Sequence, residues 1–227
     1  DAVFLTDAGP EIAVASTKAF TAQVATLYFL ANRIGVEKGL ISREQFEHRL
    51  EHLHNTSRIM QLAIDKYEKE IKETIAKSLS LHKGFIFLGR NICYPLAREA
   101  ALKLKEISYV FAEGHAAGEL KHGALAIIEK DFPVILFSIL NEALYRKLIS
   151  NAMEVKARGA ELIVFAFKGQ DELINIADKV FIFPEVEPML VPLAMTGLMQ
   201  FLVYSISVEK GCPVDKPRNL AKSVTVE

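Results

Sequence analysis

Apolar positions along the chain change their period twice, and each change marks a different kind of element. Residues 2–6, AVFLT, form an unbroken apolar run of strand length that Asp7, Gly9 and Pro10 stop, and an apolar helical run follows from about Ala13 to Ile34. Between 42 and 78 the apolar residues recur at three and four with charges between them, the spacing of amphipathic helices. The cluster Asn55-Thr56-Ser57 predicts a junction between two such helices, with Ser57 as cap of the second.

From Gly84 the pattern becomes regular strand and helix alternation. FIFLG (85–89), PVILFSI (133–139), ELIVFAF (161–167) and the core of KVFIFP (180–183) read as buried strands. YPLAREAALKLKEIS, with Pro95 in its first turn, reads as a helix. So do NEALYRKLISNAMEVKARG, closed by Gly159, and the long run from Met189 to Lys210. Continuous Val-Ile-Phe strands joined by helices predict an α/β fold whose parallel sheet is covered on both faces. The run LVPLAMTGLMQFLVYSISV is long enough to span a membrane, but Pro192, Thr196, Gln200 and Ser205 interrupt it, so a buried core helix is expected.

Composition narrows the chemistry. With 51% hydrophobic and 24% charged residues in 227, the chain can bury a sizeable core. Its 27 basic and 28 acidic residues nearly cancel, which gives no field for nucleic acid, a membrane surface or a polyanion. Only two cysteines, Cys93 and Cys212, are present and they lack metal-ligand spacing, which suits a reducing compartment and argues against a disulfide framework. No secretory signal opens the chain, and neither dinucleotide nor phosphate-loop glycine motifs occur, so no cofactor is expected.

In a parallel sheet, ligands bind beyond the carboxyl ends of the strands, which directs attention to loops such as LGRNICYP. The helix after it places Glu99, Lys103 and Glu106 on one face, either a solvated ion-pair stripe or a carboxylate poised for proton transfer beside a cation. AEGHAAGELKHGALA packs Glu113, His115, Glu119, Lys121 and His122 among small residues, either a glycine-punctuated loop or a close approach to a ligand or second subunit. His115 and His122 lack a third partner for a metal site. Ser16 and Thr17 open the first helix, where they either cap it or bind substrate hydroxyls or an anion. Lys222 has apolar neighbours, Leu220, Ala221 and Val224, and no acidic partner four residues on. This is either an ordinary solvated tail lysine or an imine-forming amine.

Four stretches, AGPEIAVASTKAF, LGRNICYPLAREAALKLKEISY, AEGHAAGELKHGALA and DKPRNLAKSVTVE, in this order, closely resemble the isomerase portion of the glutamine:fructose-6-phosphate amidotransferases. The resemblance implies a three-layer sandwich with a parallel sheet, the SIS fold, preceded by a helical segment from a truncated first SIS domain. It divides the chain into a remnant of that first domain (1–35), a helical connection (36–80), the second SIS domain (81–212) and an active-site tail (213–227). It implies a cytoplasmic enzyme that converts fructose 6-phosphate and ammonia to glucosamine 6-phosphate. Lys222 matches the imine-forming lysine, Glu106 the carboxylate that moves a proton between C1 and C2, Lys103 the neighbouring cation and His122 the histidine of ring opening. Val14, Ser16 and Ala221 match positions at the sugar. The family's histidine comes from the other subunit, which implies a homodimer with shared sites. Its phosphate-binding loops and its glutaminase are expected upstream of Asp1, so the chain alone is expected to be nearly inactive, with an exposed edge or altered packing in residues 1–35. Two other readings are a non-catalytic sugar-phosphate-binding SIS module and a dimerisation fragment; sensing would need neither Glu106 nor Lys222.

Overall fold

A computed structural model describes residues 3–222. Five strands, β1 (Gly84–Gly89), β2 (Phe111–Ala116), β3 (Pro133–Phe137), β4 (Glu161–Phe167) and β5 (Lys179–Phe183), form one sheet in the order β2-β1-β3-β4-β5. Every neighbouring pair is parallel. The helices are α1 (Lys18–Glu37), α2 (Arg43–Glu70), α3 (Ala76–Ser80), α4 (Cys93–Ser108), α5 (Glu142–Lys156), α6 (Asp171–Ile176) and α7 (Val191–Glu209).

The period of two along each strand sorts the core into two layers. Phe85, Phe87, Ile135, Phe137, Ile163 and Phe165 face α2, α4 and α7, while Ile86, Leu88, Val134, Leu136, Leu162 and Val164 face α5 and α6. Seven phenylalanines on β1, β3, β4 and β5 are fully buried on the first face. Their rings meet at centroid distances such as 4.9 Å for Phe137 with Phe165, within the range where aromatic pairs attract. Each contributes about 1.5–3 kcal/mol by burial, which makes this face the main anchor of α4 and α7.

Two glycines set how closely α4 lies on the sheet. A Cβ on Gly89 would fall 2.0 Å from the Cys93 carbonyl oxygen, and one on Gly114 would fall 2.5 Å from the Arg98 Cα. Both obstacles are backbone, so α4 reaches its place only because these positions carry no side chain.

The structure departs from the sequence expectations in three places. Residues 3–6 form no strand, and Val3 and Leu5 are exposed; Ala2 lies outside the described residues. A strand needs a neighbour for its backbone groups, and this segment pairs with none of the five strands. The expected junction at 55–57 is absent: α2 runs through it, and the Thr56 and Ser57 hydroxyls donate to the carbonyls of His52 and His54 in the preceding turn. The helix then continues through a wider π-helical turn, Ile71–Ile75, into α3. Finally FAEGHA, where a glycine-punctuated loop is one of two readings of the sequence and no strand is expected, is β2, paired along its whole length with β1. The final helix does pack in the core. The span Pro188–Glu209 is long and apolar enough to cross a membrane, yet 72% of its apolar window is buried inside the fold.

Candidate functional site

Helix α4 joins the carboxyl end of β1 to the start of β2, so its last turns lie at the opposite end of the sheet from the strand-end loops. Lys103 and Glu106 sit there, with Glu99 one turn back along the same face. Lys103 is only 4% exposed, which excludes the solvated-stripe reading. A buried ammonium needs compensating anions. Glu106 accepts from its Nζ at 2.5 Å, and a Glu99 oxygen lies 3.7 Å away. Burial pushes the Glu99 carboxyl above its ordinary value; Lys103 opposes this and Glu106 adds to it. Lys103 also opens on a cavity of about 150 Å³, walled by Ala13, Ala15 and Thr17 from the N-terminal segment and by Gln200, Val214 and Asp215.

The N-terminal segment is shaped by a residue the sequence reading missed. Glu11 folds back on the start of α1, where its carboxylate accepts from the Thr17 N–H at 2.9 Å and from the Thr17 and Ser16 hydroxyls at 3.2 Å. Ser16 and Thr17 therefore donate to Glu11 and do not themselves cap the helix. Burial raises the Glu11 pKa, but these hydrogen bonds and the charge of Lys222 outweigh it and hold the carboxyl below its ordinary range. An acidic residue shortly before a helix start was the available signal, since a helix N-terminus attracts negative charge.

The tail is pinned to this segment and to α4. The Val14 N–H donates to the Asp215 carbonyl at 3.0 Å, and Pro217 is buried. Tyr109, which ends α4 in the left-handed conformation, accepts from the Arg218 N–H at 2.8 Å, and its ring lies 4.3 Å from the Arg218 guanidinium. Lys222 then reaches back, its Nζ donating to the Ala13 carbonyl at 3.0 Å and standing 3.5 Å from the Val14 carbonyl. The lysine and its neighbour Ala221 are exposed, so its surroundings are open and polar rather than apolar. The tail residues 223–227, with Val224 among them, lie outside the described residues.

Val14, Ser16, Lys103, Glu106, Ala221 and Lys222 thus gather around one N-terminal segment, but His122 does not join them. It follows the far end of β2, in a 3-10 turn (Ala117–His122), with its side chain 76% exposed and Glu119 3.9 Å away. His115 pairs with Glu113 at 2.9 Å on β2, beside an open groove of about 770 Å³ that Arg98, Glu99 and Lys105 also line. Burial pushes the Cys93 thiol up to about 12, and its S–H points to the Ser138 carbonyl, a structural role. Among the described residues no group of three or more His, Cys, Asp or Glu is placed to hold a metal ion.

Comparison with known proteins gives these pieces a context. Residues 78–210 match the SIS domain family. The chain is 44% identical over 227 residues to a glutamine–fructose-6-phosphate aminotransferase (isomerizing) of Clostridium acetobutylicum, and 46% identical over 228 residues to that of Mesorhizobium japonicum. Each alignment covers 100% of this chain and 37% of the relative, so the chain spans little over a third of their length. Among solved structures, the C-terminal domain of glucosamine-fructose-6-phosphate aminotransferase from Francisella tularensis superposes with a TM-score of 0.87 at 40% identity. That match covers 94% of this chain and 60% of the other. The parallel sheet between two helical layers and the match over more than half its length make this chain a member of the SIS domain family.

Proposed function

We propose that the chain carries the isomerase chemistry of a cytoplasmic glucosamine-6-phosphate synthase. Its substrate is fructose 6-phosphate and its product is glucosamine 6-phosphate. The observation that carries this reading is the seat of Lys222: its ammonium rests on the carbonyls of Ala13 and Val14, in the segment that also walls the cavity of Lys103.

In this reading the Lys222 amine attacks C2 of the open-chain ketose and expels water to form an imine, which ammonia then displaces. Glu106 takes a proton from C1 and returns it to C2, while the Lys103 cation balances the negative charge that develops on the oxygen at C1. Val14, Ser16 and Ala221 line the sugar. His122, which stands apart from Lys222 within one chain, acts in ring opening at the site of a partner subunit, so that two chains share each site. The supply of ammonia is assigned to no residue of this chain.

The test is a chimera in which this chain replaces the corresponding part of the Clostridium acetobutylicum relative, assayed for glucosamine 6-phosphate formed from fructose 6-phosphate and glutamine. Glu106→Gln should lower turnover at least a hundredfold while leaving the protein folded. Near-normal turnover in that variant would remove Glu106 from the chemistry.

A further inference from the structure

The proposed isomerase chemistry leaves one side-chain cluster unused, a histidine pair on α2. His48 and His52 stand four residues apart, so both rings project over the same patch of helix surface. Their Nε2 atoms are 3.0 Å apart. The ring centroids are 4.4 Å apart with the planes at 78°, too close for two nitrogens meeting head to head along one line, so at least one ring axis is inclined to the line between the nitrogens. The other nitrogen of His48, Nδ1, turns toward the Glu51 carboxylate 3.7 Å away. A carboxylate on that side favours a proton on Nδ1, which leaves Nε2 as a lone-pair donor, the arrangement of histidines that ligate metals.

A neutral N–H···N hydrogen bond would account for the separation, but only the angle between the rings decides what else the pair can do. Bonds from imidazole to a divalent transition ion are about 2.0–2.1 Å long, so nitrogens 3.0 Å apart would subtend roughly 91–97° at a shared ion. A tetrahedral ion would require them about 3.3–3.4 Å apart. Right-angled donors occupy adjacent corners of a square-planar or octahedral ion, the preference of Cu²⁺ and Ni²⁺ with nitrogen ligands. The His48 side chain is 68% exposed, so an ion reaches it from solvent. Both rings already hold the required spacing, and binding costs little further side-chain freedom.

We propose that His48 and His52 form a bidentate site on α2 for a tetragonal divalent ion of the Cu²⁺ or Ni²⁺ type. Water completes the coordination, since no third His, Cys, Asp or Glu among the described residues joins them. The site is independent of Lys222 and Glu106, and its test does not depend on the isomerase reading.

The experiment is calorimetric titration of the chain, without any affinity tag, with nickel chloride and separately with zinc chloride. One saturable nickel site is expected, weakened at least tenfold in both His48→Gln and His52→Gln and unchanged in His54→Gln on the same helix. Zinc should bind several-fold more weakly than nickel. Far-ultraviolet circular dichroism of each variant confirms that α2 is retained. Absence of a saturable nickel site, nickel affinity in either variant equal to that of the unmodified chain, or zinc binding as tight as nickel would overturn the proposal.

Discussion

Replacing Glu106 by glutamine keeps the size of the side chain and removes the anion that holds the Lys103 ammonium at 2.5 Å. Lys103 is 4% exposed and cannot turn to water, so its charge is left to Glu99, 3.7 Å away. Stripping a fully buried cation of its partner costs about 3–5 kcal/mol. Here Glu99 remains and the Glu106 side chain is itself 23% exposed. Both reduce the cost, to about 1–3 kcal/mol. At roughly 2–4 °C per kcal/mol for a domain of this size, the melting temperature should fall by about 2–12 °C. Urea unfolding followed by circular dichroism reads the change as a lower midpoint at constant slope. Lys103→Met should relieve the defect, making the double variant more stable than Glu106→Gln alone and giving a coupling energy of at least about 1 kcal/mol. A change within about 0.5 kcal/mol, or additive variants, would mean that the pair is screened like a surface ion pair, and the buried-charge argument would fail.

Other consequences follow from the same contacts. Glu11 has a folded pKa below its ordinary value of 4.5, so its contribution is full above that value and is lost as pH falls through the lowered folded value. Glu11→Gln should therefore cost about 0.5–2 kcal/mol at neutral pH, and the gap to the unmodified chain should close in acid; a pH-independent gap would contradict the assignment. Gly114→Ala drives a methyl into the backbone of Arg98 and Ala97 and should cost about 3 kcal/mol or more, read as lost soluble yield or a much lower unfolding midpoint. Tyr109→Phe removes the acceptor of the Arg218 N–H and should speed proteolysis between 218 and 222 without moving the global unfolding midpoint by more than about 1.5 kcal/mol. Unchanged cleavage would show that Pro217 and Asp215 hold the tail unaided.

Four of the five strands were legible because their residues are apolar on both faces, as strands buried between two helical layers must be. β2 was not, since FAEGHA is an edge strand rich in small and polar residues. Its signal was topological: a helix after β1 has to return to a parallel neighbour, and β2 is that neighbour. The continuity of α2 was hidden because Thr56 and Ser57 satisfy their hydroxyls within the helix, which composition cannot distinguish from a cap. At the site, the spacing of Glu99, Lys103 and Glu106 was visible in the sequence. Their burial was not, because it depends on how α4 packs against β2 and α7. The strand-end rule pointed to the loop after β1, whereas Lys103 and Glu106 lie toward the other end of α4. The meeting of Lys222 with Ala13 and Val14 joins positions more than 200 residues apart, which no local pattern encodes; only the resemblance of the tail motif indicated it.

The most direct test of the account is to treat the chain and the chimera with fructose 6-phosphate and borohydride, then locate any reduced adduct by peptide mass spectrometry. Reduction fixes an imine as a stable secondary amine on the lysine that formed it. The account predicts a hexitol phosphate adduct on Lys222 in the chimera, absent from Lys222→Arg. A chimera that binds the sugar phosphate but carries no adduct on Lys222 would contradict it.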